Sequence, residues 1–367
     1  ALLRSTPPGA EQLHMKLSSI RRIDFWVGVP ACFLASLWVV LRDALFPGRG
    51  VREGRILFIE LSEMGSTILA APAIQRAMQR YPEQPCFVIF QKNVESLKLL
   101  GLFADENICT IRDTSLVAMA TDVLRFARFC RRRGVSATLD LELYARISSL
   151  LAMFSGARTR VGFDNYLGEG LWRGMHLTHR VAYSVYYHMS QNFMALVEAL
   201  ERDGAAIPLP KQHIPLPDQP PRAPRNEESS AHVRRELERL IALPADARLV
   251  VLNHDAGQLL PIRSWPLERW AALARRLLER DPRWVVVLMG IPSAGDSARA
   301  IAAAANHPRL VNFNGKTRHL TDVINLFHQA DLLITNDSGP AHFATLTEMA
   351  AITLFGPETP RLYGPRG

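Results

Sequence analysis

From Arg55 onward, short apolar runs alternate with longer segments of helical periodicity, and this alternation is the feature that most constrains the fold. The first series predicts strands at Arg55–Glu60, Cys86–Phe90, Ile108–Ile111 and Ala137–Leu141. A helix with an apolar stripe is predicted between the first two strands, over Thr67–Arg80. Strands that alternate with helices indicate a mainly parallel sheet, because a parallel pair needs a crossover connection.

A second series of the same kind starts near Arg248. It predicts strands at Leu249–Asn253, Trp284–Met289 and Leu310–Asn312, and helices at Pro266–Arg280, Ser297–Ala305 and Leu320–Gln329. A Pro-rich stretch separates the two series and reads as a semi-rigid, extended interdomain connection; its prolines are Pro208, Pro210, Pro215, Pro217, Pro220, Pro221 and Pro224. A chain of 367 residues is long enough for two domains with separate cores.

An uncharged apolar run of 17 residues, Phe25–Leu41, lies ahead of the first series. This length is the lower limit for a membrane-spanning helix. Arginines occur on both sides of the run, so the charge bias gives no orientation. Trp26 and Trp38 suit the headgroup region, and Pro30 is expected to kink the helix. We predict membrane association; a span, a re-entrant or interfacial helix, and a buried helix of a soluble protein stay open.

The net charge of +8 indicates an anionic partner. No zinc knuckle, RNA-binding sheet signature or recognition helix is visible, so an anionic membrane surface is preferred over nucleic acid. The four cysteines are widely separated and form no Cys-x-x-Cys pair, which favours apolar packing over a disulfide or metal framework; they are Cys32, Cys86, Cys109 and Cys130.

The stretch from Asp331 to His342 combines a short apolar run with Thr-Asn-Asp-Ser-Gly-Pro-Ala-His. Because Pro is favoured in the first helical turn, Pro340 is expected to open a helix that runs to about Met349. A helix N-terminus at the carboxyl end of a strand attracts phosphate. Asp337 does not suit a phosphate, so we expect its carboxylate to accept from N–H groups of the turn or from a ligand hydroxyl.

The next strand, Ala351–Phe355, is followed by Gly-Pro-Glu-Thr-Pro. With the Asp-Ser-Gly-x-x-His segment before it, this pattern resembles glycosyltransferase family 9, the ADP-heptose:lipopolysaccharide heptosyltransferases. The resemblance implies the glycosyltransferase-B architecture, in which two Rossmann-like domains face each other across a cleft. It also implies inverting sugar transfer with no cofactor and no obligatory metal.

On this basis the chain divides into four segments. Residues 1–54 carry the membrane helix, and residues 55–207 form the N-terminal Rossmann-like acceptor domain. Residues 208–245 are the Pro-rich connection with a helix, and residues 246–367 form the C-terminal nucleotide-sugar domain. Relatives continue past the Gly-Pro motif near Gly364 with a helix that packs on the first domain, so truncation of the C-terminal domain is an open expectation.

The resemblance assigns a donor pocket to the C-terminal domain. Arg263 takes the place of a phosphate-contacting Lys, and a guanidinium can hold diphosphate oxygens bidentately. Asp296 is the nearest match to the family's acidic residue for the ribose hydroxyls. The remaining donor residues belong to the Asp-Ser-Gly-x-x-His segment and are Asp337, Ser338, Gly339 and His342.

The acceptor side departs from the family. Relatives carry an Asp, the proposed base for the acceptor hydroxyl, where this chain has Ser66. A hydroxyl side chain is no base at neutral pH, whereas a carboxylate is. Glu63, in the same loop, is therefore the predicted catalytic residue, and Asp140 and Glu142 at the end of another strand are the alternatives on the acceptor side.

The residues and the resemblance together predict an inverting glycosyltransferase of the inner membrane, with its domains on the cytoplasmic side. It would move a heptose-like sugar from a nucleotide-diphosphate donor, ADP-linked by resemblance, to a lipid-linked or lipopolysaccharide-type acceptor. Two alternatives stay open at this point. One is a noncatalytic, nucleotide-sugar-binding membrane subunit, and the other is a sugar-nucleotide epimerase of the same fold.

Overall fold

A computed structural model of the protein describes residues 22, 24–45, 54–81, 83–143, 145–164, 171–202, 204, 214–216, 221–257 and 261–366. The strands within these residues form two sheets, one of six strands and one of five, and every strand pairing in both sheets is parallel. The α/β fold expected from the alternating pattern is confirmed.

The first sheet contains β1 (Arg55–Ile59), β2 (Cys86–Phe90), β3 (Ile108–Ile111), β4 (Val135–Asp140), β5 (Thr159–Asp164) and β6 (His179–Ala182). Its strand order is β3-β2-β1-β4-β5-β6, the doubly wound order of a Rossmann sheet. The sequence did not predict β5 and β6. Gly162 and Arg160 interrupt the apolar run of β5. The strand β6 is short and lies at the edge of the sheet, where fewer of its side chains need to be apolar.

The second sheet contains β7 (Arg248–Asn253), β8 (Trp284–Met289), β9 (Leu310–Asn312), β10 (Leu332–Asn336) and β11 (Ala350–Leu354). Its order is β11-β10-β7-β8-β9. All five strands agree with the predicted ones within two residues, because they are apolar runs with clear polar boundaries.

Helices connect the strands of both sheets. In the first half they span Met64–Leu69, Ala71–Arg80, Val94–Leu99, Leu116–Arg133, Arg146–Phe154 and Met189–Ala199. In the second half they span Glu227–Leu240, Leu267–Arg280, Gly295–Ala305, Leu320–Gln329, Gly339–Ala344 and Pro360–Tyr363. The single helix predicted over Thr67–Arg80 was wrong: the chain forms two helices that meet at Ala70, and Pro72 lies in the first turn of the second one.

The apolar core is continuous through both halves of the chain. One cluster joins Phe58 and Phe87 of the first sheet to Val251 and Val287 of the second. The helix Met64–Leu69 packs against the helix Gly339–Ala344, which places the loop after β1 beside the loop after β10. The segment that carries most of the Pro-rich connection lies outside the described residues, so the predicted domain boundaries stay predictions.

An apolar helical stretch precedes the first sheet. A π-helical turn, Asp24–Gly28, leads into an α-helix, Val29–Leu45. The portion Asp24–Arg42 is 19 residues long, and an 18-residue part of it has a mean hydropathy of 1.8 with 22% of its residues buried; by length and composition it could cross a membrane. Pro30 lies in the first turn of the α-helix, directly after the π-helical turn, where its missing N–H is tolerated; the kink expected at Pro30 stays a prediction.

Candidate active site

The two sheets each reverse their strand order at one point, and polar side chains collect at the carboxyl ends of the strands there. In the first sheet the reversal lies between β1, followed by Glu60, and β4, which ends at Asp140. In the second sheet it lies between β7 and β10, which end at Asn253 and Asn336. Ligands of open α/β sheets bind in the crevice outside such reversal points.

The loop after β1 carries Glu63 and Ser66. Ser66 Oγ donates a hydrogen bond to Glu63 Oε2 at 3.0 Å, so the two side chains act as one unit. Glu63 is accessible to solvent, yet it lies in a crowded cleft. Partial loss of water there raises the pKa of the Glu63 carboxyl, and the Ser66 hydrogen bond and the Arg263 charge oppose the increase. A carboxylate of raised pKa is better suited to accept a proton.

Glu142 holds the loop after β1 in place through three hydrogen bonds. Its Oε1 accepts hydrogen bonds from the backbone N–H groups of Leu61, at 2.9 Å, and Ser62, at 3.0 Å, and from Ser62 Oγ at 2.6 Å. Glu60 is buried beside it, and burial together with the charges of Glu142 and Glu63 raises the pKa of Glu60 well above its usual range. Glu142 is thus placed to position the loop that carries Glu63.

Asp140 does not reach the cleft. Its carboxylate is fully buried and pairs with Arg173 Nη1 at 2.8 Å, and Ser148 Oγ donates to it at 3.1 Å. Burial raises the pKa of Asp140 to about 6 despite the Arg173 charge. As an alternative base Asp140 is therefore disfavoured, because no acceptor hydroxyl can approach a carboxylate enclosed in this way.

The side-chain amides of two asparagines hold the signature segment after β10 in place. Asn253 Nδ2 donates to Thr335 Oγ1 at 2.9 Å and to Ser338 Oγ at 3.1 Å. Asn336 Nδ2 donates to the carbonyl of His254 at 2.8 Å, and its Oδ1 accepts from Trp265 N–H at 3.1 Å. The fully buried Asn336 therefore fixes the loop that carries Arg263. The Ser338 hydroxyl belongs to this network.

Arg263 and Asp337 form an ion pair across the two loops, with 3.4 Å between Arg263 Nε and Asp337 Oδ2. Neither of these two atoms has a hydrogen-bond partner among the described residues, and both are buried. Burial raises the pKa of Asp337 and the Arg263 charge lowers it. Of the two partners expected for the Asp337 carboxylate, no hydrogen bond from an N–H group of its own turn is found among the described residues, and a ligand hydroxyl stays a prediction.

His342 lies against the loop after β1. A methyl group added at Gly65 would come within 2.7 Å of His342 Cδ2, so only a glycine lets the two loops approach this closely. The ring is buried, and its Nδ1 has no hydrogen-bond partner among the described residues. Burial lowers the pKa of His342 to about 4, so the ring is neutral at physiological pH.

The helix that holds His342 is shorter than expected. It spans Gly339–Ala344 and not Pro340 to about Met349, because Thr345 and Thr347 turn their hydroxyls back onto carbonyls of the preceding turn. Asp296, the residue assigned to the ribose, lies in the first turn of Gly295–Ala305 with a side chain that is 92% exposed and paired with Arg299. Its assignment stays a prediction.

Three further residues line this region, and sequence reasoning did not identify them. His188 Nε2 lies 2.8 Å from the carbonyl of Gly364 and joins the first half of the chain to the end of the second. Tyr363 hydrogen-bonds to Tyr183, and burial raises the pKa of Tyr363 beyond its usual range. Their proximity depends on the tertiary fold, so no local pattern in the sequence indicates it.

The described part of the chain contains no group of three or more His, Cys, Asp or Glu residues arranged to hold a metal ion. The four cysteines are all buried and free, as the wide spacing predicted. Two groups of polar side chains meet at the cleft: Glu63 and Ser66 on one side, and Arg263, Asp337 and His342 on the other.

A family described as glycosyltransferase family 9 (heptosyltransferase) matches residues 124–367, more than half of the chain. Lipopolysaccharide heptosyltransferase 2 from Escherichia coli (strain K12) is 24% identical over 221 residues. The matched segment covers 59% of this chain and 59% of the length of that relative.

Two solved structures share the architecture. That of E. coli ADP-heptose lipopolysaccharide heptosyltransferase II has a TM-score of 0.68 at 20% identity, and the match covers 85% of this chain and 88% of that one. That of the family 9 glycosyl transferase from Veillonella parvula DSM 2008 has a TM-score of 0.67 at 20% identity, with 86% and 84% covered. These likenesses confirm the fold expected from the resemblance.

Proposed function

The chain belongs to glycosyltransferase family 9, and from that premise we propose that it is an inverting glycosyltransferase. The donor is a nucleotide-diphosphate sugar, with ADP-heptose as the first candidate because relatives are described as heptosyltransferases and one solved structure as an ADP-heptose enzyme. The acceptor is a lipid-linked or lipopolysaccharide-type glycan at the cytoplasmic face of the membrane.

The observation that carries this proposal is the contact between Gly65 and His342. It brings the loop of Glu63 and the signature loop of the family to the same place, at the strand reversals of both sheets. A transferase for two substrates needs an acceptor group and a donor group at one cleft. The close approach of the two loops supports such an arrangement.

The donor side is proposed to bind the diphosphate through Arg263. Its guanidinium presents several N–H donors in a plane, and its Nε has no hydrogen-bond partner among the described residues. Asp337 holds Arg263 in place through their ion pair and carries a carboxylate oxygen that can accept from a ligand hydroxyl. The neutral His342 adds a donor or acceptor at the same point.

The acceptor side is proposed to use Glu63 as the general base. As the acceptor oxygen bonds to the anomeric carbon, the bond from that carbon to the diphosphate oxygen breaks, and the hydroxyl proton passes to Glu63. The diphosphate leaves with the added negative charge, which Arg263 stabilises. Attack from the face opposite the leaving group inverts the anomeric centre.

The alternative hypothesis is a noncatalytic nucleotide-sugar-binding subunit. It rests on Ser66, which stands where the resemblance places the catalytic Asp of the family. The hydrogen bond from Ser66 to Glu63 argues against it, because a carboxylate is retained within 3.0 Å of the substituted side chain. Incubation of the purified chain with ADP-heptose, other nucleotide sugars and a membrane lipid extract, followed by mass spectrometry, tests the proposal. Transfer to a lipid supports it, and nucleotide binding without any product supports the subunit.

A further inference from the structure

The N-terminal helix is attached to the body of the protein along one face. The buried residues recur with helical spacing and are mostly small: Gly28, Cys32, Ala35, Ser36 and Val39. Cys32 and Ala35 form an apolar cluster with Leu150, with Met153 and Trp172 packed against it. The helical stretch is therefore part of the folded domain from Gly28 to Val39.

Polar contacts fix this attachment at two levels of the helix. At its start, Asp24 forms an ion pair with Arg146, and Asp24 Oδ1 accepts from Arg146 N–H at 3.0 Å. Near its middle, Ser36 Oγ accepts from Met175 N–H at 2.7 Å and donates to the carbonyl of Cys32 at 2.6 Å. The neighbouring Gly174 has a φ of +96°, a left-handed conformation that lets the loop lie against Ser36.

The opposite face of the helix is apolar and exposed. Ten large side chains there are between 48% and 73% exposed: Phe25, Trp26, Val27, Phe33, Leu34, Leu37, Trp38, Val40, Leu41 and Leu45. An exposed apolar face of this size on a folded protein marks a surface that contacts a membrane or another protein. Two tryptophans in the face suit the boundary between headgroups and acyl chains.

A span across the bilayer conflicts with these contacts. Ser36 lies near the centre of the helical stretch, so a spanning helix would place the Ser36–Met175 contact near the bilayer midplane. The loop after Trp172 and the body of the domain would then lie in hydrocarbon, together with the charged pair of Arg173 and Asp140. Unsatisfied backbone groups and charges at that depth are costly.

We propose that the N-terminal helix lies in the plane of an anionic membrane surface, with its small-residue face on the domain and its large apolar face in the lipid. This adds a geometry to the membrane attachment included in the proposed function and does not depend on which sugar is transferred. Arg22 precedes the helical stretch, and Arg42 lies in its last turn. In an in-plane helix both ends lie at headgroup level, where arginine complements anionic lipid.

The orientation of the two ends tests the proposal. Arg22→Cys and Arg49→Cys place single reactive thiols before and after the helix in the sequence and outside its apolar face, while all four native cysteines are buried and give little background. A membrane-impermeant maleimide is applied to inverted membrane vesicles and to intact spheroplasts. Labelling of both variants in inverted vesicles and of neither in spheroplasts is expected. Labelling from opposite sides would establish a span and overturn the proposal.

The lipid as occupant is tested in the same membranes. Leu34→Glu with Trp38→Glu charges the exposed face and should move the protein from the membrane pellet to the soluble fraction, with an unchanged circular dichroism spectrum. Leu240→Glu, an exposed apolar position in the second half, is the matched control and should stay in the pellet. A parent chain that is soluble and dimeric would identify a second copy as the occupant and overturn the proposal. Sugar transfer is assayed separately, so its failure and the failure of this proposal are distinguishable.

Discussion

Ser66 Oγ donates a hydrogen bond to Glu63 Oε2 at 3.0 Å, within the loop that follows the first strand. The family resemblance places the base proposed for the relatives at the position of Ser66. We propose that Glu63, three residues earlier in the loop, supplies the corresponding carboxylate in this chain. The hydrogen bond from Ser66 directs this carboxylate, and the helix after this loop packs against Gly339–Ala344, the segment proposed to bind the donor.

Arg263→Ala should weaken the binding of ADP. The variant removes a charge-assisted hydrogen bond, which typically contributes about 1.5–3 kcal/mol, so the dissociation constant should rise roughly 10- to 150-fold. Isothermal titration calorimetry measures this change. Arg283→Ala is the matched control. Arg283 also pairs with an aspartate, Asp281, but it directly precedes β8 and so lies at the amino ends of the strands, away from the cleft. Equal affinity of both variants would remove Arg263 from the donor site.

Gly65→Ala should destabilise the protein and lower its turnover. The added methyl group would overlap with the His342 ring, and overpacking of this kind costs about 1–3 kcal/mol. Chemical denaturation measures the loss. Gly295→Ala is the control, since its methyl group would meet only side-chain atoms at ordinary contact distances, Arg299 Nη1 at 3.4 Å and Asn314 Nδ2 at 4.0 Å.

A double variant separates this contact from a general effect of the substitution. In Gly65→Ala with His342→Ala the ring is absent, so the loss of stability should be smaller than the sum of the two single losses. Additive losses would show that the two loops do not press on each other in solution.

Acid should reduce the stability contributed by His342. The pKa of the buried ring is about 4, against 6.5 in the unfolded chain, so the unfolded state binds more protons as the pH falls between these values. Stability is therefore full above pH 6.5 and is lost toward pH 4, by about 2 kcal/mol between pH 7 and pH 5. His342→Phe should remove this pH-dependent part of the free energy of unfolding, because phenylalanine has no group that titrates. The Asp140 carboxyl, whose pKa is raised to about 6, acts in the opposite sense in the same range and is common to both proteins.

Glu142→Ala should destabilise the protein through the loop after β1. The substitution leaves the N–H groups of Leu61 and Ser62 without their acceptor, and a buried unsatisfied donor costs about 1–3 kcal/mol. Thermal unfolding followed by circular dichroism measures the loss. An unchanged unfolding temperature would show that solvent replaces the carboxylate and that Glu142 does not position the loop.

The parts of the structure that follow from local patterns were predictable from the sequence. The apolar strands and the turn after β10 are encoded within a few residues, and Glu63 and Ser66 belong to one short loop. The edge strand β6 was missed because it is short and polar. The partners of Asp140 and Asp337 were not predictable, because Arg173 and Arg263 come from distant loops that only the folded sheets bring near.

The central claim is that the Glu63 carboxylate accepts the acceptor proton. Its direct test is the turnover of Glu63→Gln against the parent, with ADP-heptose or the donor found active and the lipid acceptor, alongside the affinity for ADP. The amide keeps the size of the side chain and removes the base. The account predicts a turnover about 10²- to 10⁴-fold lower, the usual effect of general base catalysis, with unchanged ADP affinity. Turnover equal to that of the parent would contradict it.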